Sequence, residues 1–329
     1  MQYRRFGETD LVVSEMGFGA WAIGGGAMIG TTSIGWGDAD DAVSKEAIHR
    51  ALVAGINFFD TADIYGLGHS EDILGETISR ESKVIIATKV GNVARGEEFT
   101  VDYSKEYILN ACEQSLRRLK REAIDYYQLH SARLNHLQDG QCLQAMQQLK
   151  SQGKIRYWGL SLNTFDPVPE AEHLMKQELG HGFQLVLNIL NQRALPIIKT
   201  ADEEGYGIIV RIPLQFGLLT GKFNSESKFA INDHRHSRLT REVISKSSQA
   251  LEPVWELCNK YKITKAQLAL SYALSYQQVS TVIPGIRTPT HVEQNTDGLI
   301  RLDDDDLKMI ESLGKTNFVP VLQLIREQG

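Results

Sequence analysis

Residues 55–89 read GINFFDTADIYGLGHSEDILGETISRESKVIIATK, and their pattern decides the fold. Ile56–Phe59 and Val84–Thr88 are short apolar runs with little polar alternation, which is how strands covered on both faces read. Between them Glu71–Ser79 repeats its apolar residues near every 3.6 positions, the period of an amphipathic helix. Strand, helix, strand in that order joins two parallel strands through a crossover. The same unit recurs on both sides. Glu15–Ala20, Ile124–Leu129, Ile155–Leu160, Gln184–Asn188, Gly207–Ile212 and Ser280–Ile283 repeat the strand pattern. Lys45–Ala54, Ser104–Leu119, Gln138–Ser151, Leu195–Glu204 and Arg241–Lys262 repeat the helical one. Gly55, Gly153 and Gly205 follow three of these helices, where a glycine closes the last turn.

Eight strand segments spread over 329 residues fit a closed barrel of parallel strands better than an open sheet. The expected class is therefore α/β: a (β/α)8 TIM barrel with an N-terminal hairpin and an extra C-terminal helix. The hairpin falls within Tyr3–Val13. The tail from Asp303 to Gly329 is expected to form one helix, with Leu307, Ile310 and Leu313 on one face, followed by an arm. No break in composition marks a linker, so residues 1–329 are expected to form a single domain. Two long loops stand out, glycine-rich Ala22–Val43 and the polar, charged Lys222–Thr240.

Composition narrows the function. The chain carries 41 acidic against 35 basic residues, a net charge of −6, which argues against a nucleic-acid partner. With 42% hydrophobic and 23% charged residues it has enough apolar material for a core. Its three cysteines, Cys112, Cys142 and Cys258, match no metal spacing and no disulfide framework, so no metal is expected and a reducing compartment is. The opening residues lack the apolar run of a signal peptide, and no stretch approaches ~18 apolar residues. The expectation is a cytoplasmic protein without a membrane partner.

Three successive strands end in an ionisable residue: Asp60, Lys89 and His130. Singly, each has an ordinary explanation, since an Asp caps turns, a Lys snorkels to water and a His sits satisfied in a core. Closing the barrel brings all three to the rim where such folds carry their chemistry, and three ordinary explanations in a row become uneconomical. Tyr65, on the loop leaving the second of the eight strands, can fold back over that rim. A phenol titrates near 10 and is a poor acid at neutral pH unless a cation stabilises its phenolate. Lys89 can supply the cation and Asp60 can hold it. The set forms a general acid beside an imidazole that orients a carbonyl. Protonating a carbonyl oxygen needs an electron partner that protein side chains lack, which points to a hydride-donating cofactor.

These residues resemble the aldo-keto reductases. The specific blocks are Gly-Phe-Gly-Ala-Trp at 17–21, Phe-Phe-Asp-Thr-Ala-Asp-Ile-Tyr-Gly at 58–66, Ala-Thr-Lys-Val-Gly at 87–91, and Asp-Tyr-Tyr-Gln-Leu-His at 125–130. Pro-Leu-Gln-Phe-Gly-Leu-Leu-Thr-Gly-Lys at 213–222 and Ile-Pro-Gly-Ile-Arg-Thr at 283–288 complete them. The chain is most similar to the bacterial branch related to the potassium-channel β-subunits. The resemblance implies NADPH-dependent reduction of a small carbonyl substrate, with Asp60, Tyr65, Lys89 and His130 as the catalytic four.

Barrels frequently bind phosphate at the loops after strands seven and eight, and both loops suit it here. In the first, Pro213, Leu214, Gly217, Leu219, Gly221 and Lys222 are expected to meet the cofactor, with glycines admitting an anion and Lys222 adding charge. In the second, Gly285 and Arg287 precede Pro289 at a helix start, where free N–H groups favour phosphate. Arg287 can pair with a 2′-phosphate and so prefer NADP(H) over NAD(H). Gly19, Ala20 and Trp21 form a turn whose backbone can approach the cofactor. Gly17, Gly19 and Ala22 also satisfy a dinucleotide fingerprint with Asp38 downstream, but no helical period follows, which sets that reading aside.

The family implies Gln294 and Asn295 at the adenine, and Ser161 and Gln184 at the nicotinamide carboxamide. Leu162 stands where an Asn is usual, with Asn163 one place later. Leu187-Asn188 replaces the usual Tyr-Asn pair of the sixth strand. Arg211 either points into the rim or joins a buried ion pair. Trp21 and Trp36 are expected to wall the substrate. The basic run His234–Arg241 reads as a solvated face, with a cofactor lid as the alternative. A cofactor-binding regulatory subunit with little turnover, and an isomerase or lyase on the same rim, compete with the reductase. Nothing in the sequence sets the oligomeric state.

Overall fold

Eight strands pair in parallel and in chain order: β1 (Phe18–Gly19), β2 (Phe58–Asp60), β3 (Ile85–Val90), β4 (Ile124–His130), β5 (Ile155–Ser161), β6 (Gly182–Val186), β7 (Gly207–Arg211) and β8 (Thr281–Ile283). The structure, a computed structural model, describes residues 1–328. The sheet closes on itself beside β1. Gly17 N donates to Val282 O at 2.8 Å, Gly19 N to Pro284 O at 3.0 Å and Ile286 N to Gly19 O at 3.1 Å, with parallel bridges Met16–Val282 and Gly19–Gly285. Closure leaves no sheet edge and gathers all eight strand ends on one rim.

Two apolar layers hold the barrel. The larger lies between strands and surrounding helices, with Phe59, Ile86, Tyr127, Leu160 and Leu185 facing outward onto it. The smaller fills the barrel floor with Phe58, Ile85, Ala87, Tyr126, Ile209 and Ile283. The N-terminal hairpin, Tyr3–Arg5 paired with Val12–Ser14, closes this floor from below. Its Phe6 is fully buried, with its ring centroid 4.9 Å from that of Tyr126. A Cβ at Gly182 or Gly207 would stand 2.6 or 2.5 Å from the Phe6 ring, so these two strands admit the plug only as glycine.

The tail differs from expectation. Asp304–Gly314 is a helix, but the supposed arm folds as a second one, Val319–Glu327, opening with Pro320 in its first turn and anchored by fully buried Phe318. The expected helix over 138–151 is broken at Gly140, whose left-handed backbone (φ 79°) ends Leu134–Asp139 before Gln141–Ser151 begins. Val168–Lys176 and Lys265–Ser275 are additional crossover helices. The second is buried along Leu268–Leu274, so it lacks the two-faced period that exposes a helix to sequence reading. The sixth strand stops at Val186 because Asn188 turns the chain, its Oδ1 accepting from Leu190 N at 3.0 Å and Asn191 N at 2.9 Å. Two small hairpins decorate the rim, Met28–Ile29 with Thr32–Ser33 and Asn92–Arg95 with Glu98–Val101. Among the described residues no helix is long and apolar enough to cross a membrane, and no metal-binding cluster is found.

Candidate active site

The parallel register brings Asp60 at the end of β2, Lys89 on β3 and His130 at the end of β4 to one rim. Lys89 Nζ donates to Asp60 Oδ1 at 2.5 Å, to Thr61 O at 2.7 Å and to Tyr65 Oη at 3.3 Å. Its side chain is wholly buried. The other Asp60 oxygen accepts from Gln128 Nε2 at 3.0 Å and Gln184 Nε2 at 2.7 Å, so both of its oxygens are satisfied. Burial opposes the Lys89 charge, but Asp60 first and Tyr65 next outweigh it and hold the ammonium above the ordinary lysine range. Gln128 was not singled out from sequence. Its signal is a polar residue two places before His130, hence on the same inward face of an otherwise apolar strand.

Tyr65 is aimed by a tight turn, Tyr65–Gly68. Its ring stacks on Trp21 (centroids 5.6 Å apart, planes 19°) and meets His130 edge to face at 5.9 Å. The turn depends on Gly66, whose φ is 60° and whose Cβ, if present, would stand 2.2 Å from Gly24 O. Both the left-handed backbone and the collision penalise any side chain. Gly66→Ala is expected to cost ~1–2 kcal/mol from the backbone alone and more from the clash. A lowered urea midpoint measures it, and an unchanged midpoint would show that the turn relaxes freely.

His130 is held neutral. Burial pushes its imidazole well below the usual histidine range, with Lys89 and Arg211 adding to the effect. Tyr103 Oη donates to His130 O at 2.6 Å and fixes the strand end, while ring Nδ1 is buried without a partner.

A cavity of about 1060 Å³ runs from these side chains to the loops after β7 and β8. Gly19, Ala20, Trp21, Trp36, Gln184, Pro213, Leu214, Gly217, Lys222, Gly285, Arg287, Gln294 and Asn295 all line it. Ser161, Leu219 and Gly221 do not. Ser161 sits behind Gln184, its Oγ 3.5 Å from Oε1. Leu219 is fully buried in the outer core, because left-handed Phe216 (φ 56°) and Gly217 (φ 90°) rotate the turn Gln215–Thr220 and drive Leu218 and Leu219 inward. Asn163 spends its side chain on a turn, accepting from Phe165 N at 3.0 Å and Asp166 N at 2.9 Å.

The two long loops meet across the cavity mouth. Ser33 Oγ donates to Asn232 O at 2.8 Å, and His234 N to Gly35 O at 3.1 Å. The start of the basic run is therefore not a solvated face. His234 is 4% exposed, stacks on Trp21 at 4.5 Å and meets Trp36 at 4.3 Å and Phe216 at 4.9 Å. The long hydrophilic stretch around it hid this wedge from sequence reading. Nor does Arg211 join a buried ion pair among the described residues, since its Nη2 donates to Leu162 O and Thr164 Oγ1, each at 3.1 Å. Lys222 and Arg287 also lack a carboxylate partner there, and Arg287 Nη1 donates to Trp36 O at 3.3 Å. Thr288 caps the helix Pro289–Thr296 beside it.

Residues 15–315 match the profile of the Aldo/keto reductase family. The chain is 28% identical to an NADH-specific methylglyoxal reductase of Escherichia coli, over 94% of this chain and 97% of that one. It is 27% identical to a probable voltage-gated potassium channel subunit beta of Arabidopsis thaliana, over 90% of each. Among solved structures, the glycerol dehydrogenase of Gluconobacter oxydans superposes with a TM-score of 0.79 at 29% identity, covering 97% of this chain and 96% of that one.

Proposed function

Since this chain belongs to the aldo/keto reductase family, we propose that it is an NADP(H)-dependent oxidoreductase reducing small aldehydes and ketones to alcohols, with Tyr65 as general acid. One observation carries this reading. A phenol on the cavity wall lies 3.3 Å from a buried ammonium that is itself 2.5 Å from a carboxylate. A cation beside a phenol stabilises the phenolate that proton transfer leaves behind, which makes Tyr65 a usable acid. Neutral His130 can hydrogen-bond a carbonyl oxygen without competing as a stronger acid. Trp21, stacked on Tyr65, shields that side of the ring from water.

The residues fit a phosphorylated dinucleotide. Lys222 and Arg287 line the same cavity as cations with no acid of their own among the described residues. The N-terminus of Pro289–Thr296 lies beside Arg287 and adds free N–H groups. These groups would hold the phosphates, Gln294 and Asn295 the adenine, and Gln184 the nicotinamide carboxamide. When bound, the cofactor supplies the hydride. The test is NADPH fluorescence on adding protein, followed by NADPH oxidation with 4-nitrobenzaldehyde. Turnover supports the reductase, and absence of binding removes it. Binding without turnover would favour a regulatory subunit, a reading that similarity to the Arabidopsis channel subunit keeps in view.

Preference for NADPH is read from Arg287. A charge-assisted contact to the 2′-phosphate is worth roughly 1.5–3 kcal/mol, or about one to two decades in affinity. Arg287→Ala is expected to weaken NADPH by that order and leave NADH nearly unchanged, read from both dissociation constants. Equal losses would assign Arg287 to the pyrophosphate or the fold. An NADH-preferring wild type, like the E. coli relative by its name, would remove the assignment.

A further inference from the structure

Two cations in the cavity wall hydrogen-bond none of Tyr65, Lys89, Asp60 or His130 and are separate from the two phosphate-loop cations described so far. Arg211 ends β7 on the rim that carries Tyr65 and His130. Beyond its bonds to Leu162 O and Thr164 Oγ1, its Nε is buried with no partner. Arg238, on the loop after β7, lies with its guanidinium 5.2 Å from the centroid of Phe216 and donates to His234 Nδ1 at 3.3 Å. Both guanidinium groups line the cavity, and neither meets a carboxylate among the described residues.

The hydrogen bond from Arg238 also sets the His234 tautomer. Arginine only donates, so Nδ1 accepts and Nε2 carries the hydrogen. That Nε2–H is buried and unpartnered as well. Burial, with Arg238 next, holds the His234 imidazole down at about 3, so it is neutral at physiological pH. His234 stacks on the Trp21 that also stacks on Tyr65, and Arg211 shares the cavity wall with Tyr65 and His130, which places this group at the reacting end of the cavity. The phosphate end has its own cations, Lys222 and Arg287.

Unpaired cations held out of water are costly until an anion arrives. We infer that Arg211, Arg238 and the Nε2–H of His234 form a subsite for an anionic group on the substrate, so that the preferred substrates are oxo acids, aldehydes or ketones bearing a carboxylate. This deepens the reductase reading and rests on it for the chemistry, while the anion subsite can be tested without turnover.

The informative pair is 4-carboxybenzaldehyde and its methyl ester, close in shape and different in charge. The ester is the more electrophilic aldehyde, so a preference for the acid reports recognition of charge. The expected kcat/KM ratio favours the acid by about tenfold or more at low salt and shrinks as salt rises. Arg211→Met and Arg238→Met should each pull the ratio toward the ester by about tenfold, with a smaller change in the NADPH dissociation constant. Arg238 lies outside the barrel, so its variant keeps the test should Arg211→Met fail to fold. A wild-type ratio near one overturns the subsite. So does a loss on both substrates matched by a loss of NADPH affinity, which would give these cations to the cofactor. If neither substrate turns over, the reductase reading fails, and binding decides the subsite alone. Benzoate should then quench the tryptophan fluorescence of the NADP-loaded protein at a concentration about tenfold lower than benzamide, since Trp21 and Trp36 flank His234. Equal binding of the two overturns the subsite.

Discussion

Tyr65→Phe is expected to bind NADPH as the wild type does and to lose ~10²-fold or more in carbonyl reduction, the usual worth of a positioned acid. The substitution removes one oxygen and little else. The ring keeps its stacking on Trp21 and its edge contact with His130, so the cavity keeps its shape. Lys89 loses its longest hydrogen bond, at 3.3 Å, and keeps those to Asp60 and Thr61. Folding stability should therefore change little, and the loss should appear in kcat rather than in cofactor affinity. NADPH fluorescence titration and steady-state rates with 4-nitrobenzaldehyde separate the two. Reduction within about threefold of wild type, far short of the typical loss, would mean that another group gives the proton.

The parts of this site that could be read in sequence share one physical property. Asp60, Lys89 and His130 stand at the ends of strands buried on both faces, and a mostly apolar run ending in an ionisable residue is conspicuous. The helix beside Arg287, Pro289–Thr296, was legible because a proline-started helix after the last strand is a local signal. What escaped depends on tertiary contacts. Gln128 acts only because the register sets it opposite Lys89, where it reaches Asp60. His234 sits in a polar, charged stretch and becomes a wedge only when the glycine loop closes on it. Leu219 lies in a block that resembles the family, yet two left-handed residues before it turn its side chain into the core. The tail helix Val319–Glu327 did carry a signal, Val321, Leu322 and Ile325 at helical spacing behind a proline, which the expectation of an arm passed over.

Lys89→Met should damage both activity and stability, and for separable reasons. Activity falls because the ammonium facing the phenol is gone, so nothing stabilises the phenolate left by proton transfer. Stability falls because Asp60, 3% exposed, then keeps only the amides of Gln128 and Gln184 against its charge. Removing one partner of a buried pair typically costs ~3–5 kcal/mol. Lys89 titrates above the ordinary lysine range in the folded state, so its contribution is complete below the unfolded value and is lost only as pH rises through the folded one. The stability deficit of the variant should therefore be constant across neutral pH and shrink only at strongly alkaline pH. Adding Asp60→Asn to Lys89→Met tests the cause. The new amide oxygen can still accept from Gln128 and Gln184 while the stranded charge is gone, so much of the lost stability should return without the activity. Denaturation midpoints of wild type, single and double variants decide it. A double variant no more stable than the single would place the cost in packing around the lysine stem, and a single variant with wild-type midpoint and rate would dissolve the pairing altogether.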